Sequence, residues 1–206
     1  MNPSFEDIVP ENKKGKPSDI EHSVTVASRE KAIDVFKTAA QRMLYINDWQ
    51  RIGSFISAVF DLTNPEGQKL ERPAALGDFI RIDIQGPGSS EGDGYDWVFI
   101  EAMDDKSNSD AEEESLAMRV RPCKQPGKET NAVAHFFTGE ATSTFIIRRD
   151  QNTVTSSYHG RNEILNTGTG KPLDKVRNVI MGGAALAGIS EIQWDVLIRS
   201  FLKQEV

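Results

Sequence analysis

Cysteine is almost absent from this 206-residue chain. Cys123 stands alone, which excludes an intramolecular disulfide and a cysteine-based zinc site, and fits a reducing compartment. Histidine is nearly as scarce: His22, His135 and His159 include no pair at helical spacing, so a histidine-rich catalytic metal site is not supported. Basic charge is short too. Lys and Arg number 24 against 31 Asp and Glu, a formal net charge of −7, so the mean field repels polyanions and a nucleic-acid partner is not expected. The longest apolar run, VIMGGAALAGI from Val179 to Ile189, is 11 residues, against the roughly 20 needed to span a bilayer. No secretory h-region or small-residue cleavage site opens the chain, and a cytoplasmic protein is the expectation.

Nucleotide and calcium motifs are missing as well. The glycine-rich stretch 86–94 (GPGSSEGDG) has no Lys, no Gly-Lys-Ser/Thr ending and two acids that would repel phosphate. It reads as a long hairpin loop, or as a flexible rim beside a sheet. The acidic run Asp104 to Glu114 lacks the spacing and central glycine of an EF-hand. It reads as a mobile hairpin loop too polar to pack. No cofactor is implied.

What is present is the composition of a globular protein, 38% hydrophobic and 27% charged. Residues 1–20, with three prolines and a Lys-Lys-Gly-Lys stretch, read as a mobile tail, and 21–206 as a single α+β domain. His22 to Ala27 alternates polar and apolar positions and predicts a first strand. Ser28 predicts a helix cap, because its hydroxyl can accept from the free N–H groups of a first turn. Ala32, Val35, Phe36, Ala39, Ala40, Met43 and Leu44 then give one apolar helical face through about Tyr45. Asn47 or Asp48 is the expected cap of a short turn carrying Trp49.

From Ser54 the periodicity changes from 3.6 to 2. Strands are predicted at Phe55–Leu62, Gly77–Ile84, Asp96–Met103, Ser115–Arg121, Ala141–Arg149 and Thr153–Arg161. Short turns at Asn64 to Gly67 and Asp150 to Asn152 favour antiparallel pairing, and the alternation gives one dry face and one wet face. The C-terminus reads as two helices, one from Pro172 with a stripe through Ala184, and a second after Gly188. Ser190 and Gln193 form a capping box for the second, and Trp194, Leu197, Ile198 and Phe201 form its apolar face.

Two constellations carry possible chemistry. In the last strand, His159, Arg161 and Glu163 project from one face if the strand stays regular through Gly160. A two-residue turn at Gln151-Asn152 then sets Thr144 opposite His159 and Phe145 opposite Tyr158. Arg161 could clamp a carboxylate or phosphate while His159, oriented by Glu163, exchanges protons; the plainer reading is the solvent face of a sheet. His135-Phe136-Phe137 could line a cavity, or form a core aromatic pair with a hydrogen-bonded histidine. Tyr158, Arg161, His135, Phe137 and Trp97 are the candidate ligand contacts. Cys123 sits beside Lys124, but no sequence pattern nominates a partner base that would make it a nucleophile.

The order of strand (HSVTVA), helix (SREKAIDVFKTAAQRMLY), five or six antiparallel strands and C-terminal helix resembles the START-like, or helix-grip, superfamily over residues 22–203. The resemblance implies a curved antiparallel sheet of six or seven strands with an N-terminal helix and packed C-terminal helices. It also implies a small hydrophobic or amphipathic ligand between the sheet and the C-terminal helix. An antiparallel β-barrel with flanking helices is the alternative. The leading functional expectation is a binding module without catalysis. The others are an enzyme acting on a small anionic substrate through His159, Arg161 and Glu163, and an interaction protein using a sheet edge or the acidic loop. Nothing in the sequence sets an oligomeric state.

Overall fold

The computed structural model describes residues 8–53, 58–84, 89–129, 131–167 and 189–204. Seven strands form one antiparallel sheet: β1 (Ser18–Thr25), β2 (Ala58–Thr63), β3 (Phe79–Ile84), β4 (Asp96–Asp105), β5 (Glu113–Pro122), β6 (Thr142–Asp150) and β7 (Thr153–Arg161). Their spatial order is β1-β7-β6-β5-β4-β3-β2. The chain therefore makes β1 at one edge, crosses to the far edge, and returns as a meander that ends beside β1. Among the described residues no β1–β2 ladder closes the sheet, so it is an open, curled half-barrel rather than a complete barrel.

The crossing segment is α1 (Arg29–Leu44), capped as its sequence predicts by the Ser28 hydroxyl, which accepts from the Lys31 N–H at 3.3 Å. Its apolar stripe, with Phe36 and Met43 almost wholly buried, lies on the inner face of the sheet against Phe145 and Ile147. A 3-10 turn and the four-residue α2 (Trp49–Ile52) follow. Neither Asn47 nor Asp48 caps α2 through its side chain. Instead Asn47 Oδ1 accepts from the Leu62 N–H and its amide donates to the Leu70 carbonyl, tying the 3-10 turn to β2 and the segment after it. Trp49 is buried among Phe60, Phe145 and Phe201, with ring centroids 5.1–6.0 Å away, and its indole N–H is shared by the carbonyls of Arg42 and Met43.

The helix α3 (Ile189–Phe201) closes the inner face. Leu197, Ile198 and Phe201 enter the core as their spacing predicts. Arg42 of α1 donates to the carbonyls of Ser200, Phe201 and Lys203, supplying partners to the C-terminal carbonyls that a helix cannot satisfy itself. On its other side, Asp195 meets His22 of β1 at 2.6 Å. The predicted helix from Pro172, the Gly188 break and the Ser190 cap lie outside the described residues and side chains.

Two expectations are corrected. The N-terminal segment is no free tail from residue 8 onward. Ile8 is buried on the outer face against Ala117 and Ile146, its carbonyl accepts from Arg119, and β1 starts at Ser18. The segment has little apolar content, and beyond Ile8 it is held by polar contacts from Asn12, Lys13 and Lys14 to Asn162. The acidic run also packs. Glu114 is buried and bonded at 2.6 Å to the equally buried Arg149, which donates further to the carbonyls of Ala111, Glu112 and Gln151. Arg29 adds bonds to the carbonyls of Ser109 and Ala111. Two arginines distant in sequence thus fix a loop that its own composition describes as solvated.

Candidate functional site

Period-two alternation sends Phe60, Ile80, Ile82, Val98, Val120, Phe145 and Tyr158 to the inner face. Helix α1 covers one half of that face, and at the other half these side chains enclose, with Trp49 and with Trp194 of α3, a cavity of about 100 Å³. Its walls are hydrocarbon and aromatic. Among the described lining residues its polar groups come from Ser143, Tyr158, Glu163, His135 and Gln193.

The polar end is built at the exit of β7. Tyr158 is 1% exposed and stacks on Trp194 with centroids 5.2 Å apart. Its hydroxyl lies 3.1 Å from the Ser143 hydroxyl across the β6–β7 ladder and donates to Glu163 Oε1 at 3.3 Å. Glu163 reaches inward because the chain turns at Asn162, whose φ of 57° is left-handed, a conformation Asn tolerates better than most residues. That turn is held from outside. Asn162 Oδ1 accepts from the N–H groups of Lys13 and Lys14, its amide donates to the Glu11 carbonyl, and its own N–H donates to Asn12 Oδ1. Gly15 crosses the Glu163 peptide so closely that a Cβ there would meet the Glu163 carbonyl oxygen at 2.6 Å. Gly160 leaves the space the carboxyl fills, since a Cβ on it would be 2.6 Å from Glu163 Oε1.

Burial pushes the Glu163 carboxyl up to about 7, with the Glu191 carboxylate of α3 adding to the rise and the Tyr158 hydroxyl and Arg161 opposing it. Burial, together with the negative charge of Glu163, raises the Tyr158 phenol well above its ordinary value. Here is a carboxyl that can exchange a proton near neutrality or pair with a cation.

His135, Phe136 and Phe137 reach the same cavity. Residues 164–166 run beside 136–138: Thr138 donates to the Ile164 carbonyl, Asn166 to that of Phe136, and the Asn166 amide to those of Val133 and His135. His135 Nδ1 accepts from the Phe137 N–H at 3.0 Å, which leaves the ring proton on Nε2, and the ring stacks on Phe136 at 4.3 Å.

The structure therefore brings together Tyr158, Glu163, His135 and Phe137, and does not bring His159, Arg161 or Trp97 to them. The predicted register holds, with Thr144 opposite His159 and Phe145 opposite Tyr158. It is this register that separates the row: His159 and Arg161 point to the outer face, and the left-handed turn at Asn162 takes Glu163 to the inner one. His159 Nδ1 and Arg161 both meet Asp19 of β1, at 2.6 and 2.7 Å. Burial works against the Asp19 charge, but hydrogen bonds from Arg161 and His159 win and hold its carboxyl below the usual range. His159 Nε2 lies 3.1 Å from Ser157 Oγ, which completes a serine–histidine–aspartate chain. β7 lies between β1 and β6, so its backbone N–H groups are committed to those two ladders and offer this array no oxyanion donor. Trp97 is buried toward the outer face, its indole N–H donating to the Gly92 carbonyl. Cys123 is pushed up to about 12 by burial, so its thiol stays protonated.

Ser143, Gln193 and Trp194 line the cavity as well, beyond the contacts that the sequence nominates. Ser143 was within reach of the sequence, since it alternates with Phe145 on the face that carries Tyr158. Trp194 read as helix packing. Among the described residues no group of three or more His, Cys, Asp or Glu side chains could hold a metal ion, and no helix is long and apolar enough to cross a membrane.

No protein-family model matches the chain, and no curated protein does. Among solved structures, the hypothetical protein jhp0584 from Helicobacter pylori is similar over 97% of this chain and 96% of its own, with a TM-score of 0.50 at 11% identity. Major latex-like protein 151 from Panax ginseng covers 84% of this chain and 97% of its own, with a TM-score of 0.35 at 15% identity. Norcoclaurine synthase from Thalictrum flavum covers 92% and 88%, with a TM-score of 0.37 at 11% identity. At such identities only fold is compared, and the chain shares with the Helicobacter pylori protein the fold of a curved antiparallel sheet packed on its helices.

Proposed function

We propose that this protein is a START-like binding module that takes up a small apolar or amphipathic molecule between its sheet and α3, without catalysis. The observation that carries the reading is the cavity itself. Close-packed interiors leave few voids larger than a water molecule, yet about 100 Å³ lies open between Phe60, Val98, Val120 and Trp194. An apolar cavity of roughly 150 Å³ takes up benzene from water; at about 100 Å³ this one suits a compact apolar body of no more than one ring. The gain comes from removing ligand surface from water, about 25 cal/mol per Å².

Native mass spectrometry of freshly purified protein, paired with titration of a lipophilic fluorescent probe, tests the proposal. A retained small molecule, or saturable probe uptake that a small hydrocarbon displaces, is the expected result. Neither a bound species nor saturable uptake would remove the reading.

A further inference from the structure

The cavity has a sign. Among its described lining residues there is one acid, Glu163, and no lysine or arginine. The carboxyl is not there by accident of a flexible side chain: Gly160 makes its space, the left-handed Asn162 aims it, and residues 11–15 clamp that turn from outside. Placing an acid in an apolar pocket costs stability unless something pairs with it.

The described charged neighbours leave that need unmet. Glu191 faces the same end from α3 and is itself 3.9 Å from the exposed Lys16. Arg161 lies on the outer face, where its guanidinium donates to the carbonyls of Ser18 and Gly160 and to Asp19. Among the described residues the inner end of the cavity is thus net acidic, and His135, whose Nδ1 accepts from the Phe137 N–H, is the other titratable side chain that lines it beside Tyr158. Its walls complete the pattern, because Trp194, Tyr158, Phe136 and Phe137 line the same cavity as Glu163, and aromatic rings attract cations.

Resting on the binding reading above, we infer that the cavity selects small amphipathic cations: a body of about one ring among the aromatic walls, and a protonated amine against Glu163, Tyr158 and Ser143. The ammonium donates to the carboxylate and to the hydroxyl oxygens, three acceptors for its three N–H groups. An anion of the same size meets the carboxylate instead, and a neutral hydrocarbon leaves the polar end unpaired.

Three ligands of one shape test this: benzylammonium, toluene and benzoate, titrated by calorimetry at about pH 8, above the Glu163 midpoint of about 7. Benzylammonium is expected to bind about tenfold more tightly than toluene, and benzoate most weakly. The advantage of the amine fades as pH falls through about 7, and its binding below that point releases a proton that buffers of different ionisation enthalpy report. In Glu163→Gln the amine and toluene bind alike, with retained toluene uptake showing the cavity intact. If that variant does not fold, the pH dependence and proton release of the unaltered protein decide. Toluene uptake with no preference for the amine, with benzoate bound equally well, or with the preference surviving in Glu163→Gln, overturns the cation inference and leaves the apolar cavity standing. Uptake of none of the three removes both.

Discussion

Glu163 is the residue whose environment departs most from what its type prefers, and folding must bear that cost. Its carboxyl has an ordinary value of 4.5 and is raised to about 7 in the folded protein, with burial the largest cause. A raised acid favours the protonated native state, so its stabilising contribution is complete below pH about 4.5 and is lost as pH rises to about 7. The loss is on the order of 2 kcal/mol, reduced from the full linkage value because the side chain is only partly buried. Urea denaturation across pH 4 to 8 is expected to show that decline, and Glu163→Gln to flatten it. Gly160→Ala should act on the same carboxyl through sterics. Its Cβ claims the place of Oε1 and approaches the Tyr158 hydroxyl to 3.1 Å, so the carboxyl swings outward at a cost of about 1 kcal/mol. Carboxyl-carbon NMR should then find Glu163 titrating in the ordinary range. A Glu163 that still titrates near 7 in this variant would show that Gly160 does not set its position.

At the scale of elements, the β4–β5 hairpin depends on a buried ion pair more than on its own turn. Arg149 and Glu114 have almost no exposed side-chain surface, and removing one partner of such a pair costs about 3–5 kcal/mol because the other charge is left buried alone. Arg149→Met keeps much of the volume and is expected to lose that amount in chemical denaturation, with faster amide exchange confined first to residues 106–112. A loss under about 1 kcal/mol would show that Arg29 and the turn hold the loop unaided. The same pair explains a limit of the sequence. Local alternation locates all of β3 to β7 within about two residues, and the two-residue Gln151-Asn152 turn sets the β6–β7 register correctly. Composition alone describes the 104–114 run as solvated, because what buries Glu114 is a residue 35 positions away. Residues 11–15 fail in the same way, since their partner Asn162 lies about 150 positions on.

For the whole molecule, the site is less legible than the fold for a geometric reason. Strand alternation places Tyr158 and His159 on opposite faces whatever the ligand, but the turn at Asn162 decides which face Glu163 joins, and that turn is hydrogen-bonded to the N-terminal segment. The cavity arises similarly from layers brought together: the sheet supplies the floor, α2 supplies Trp49 and α3 supplies Trp194. A void retained among so many rings is a stability deficit that function would justify. Val120 lines it from β5 and is nearly buried, so Val120→Phe directs a ring into the space without adding a polar group. If the void is the binding site, this variant melts at or above the parent, by the equivalent of about 0.5–2 kcal/mol for a filled cavity, and takes up no lipophilic probe. Differential scanning fluorimetry and probe titration on the same sample read both quantities. A stable variant that still saturates with probe would move the site away from the inner face.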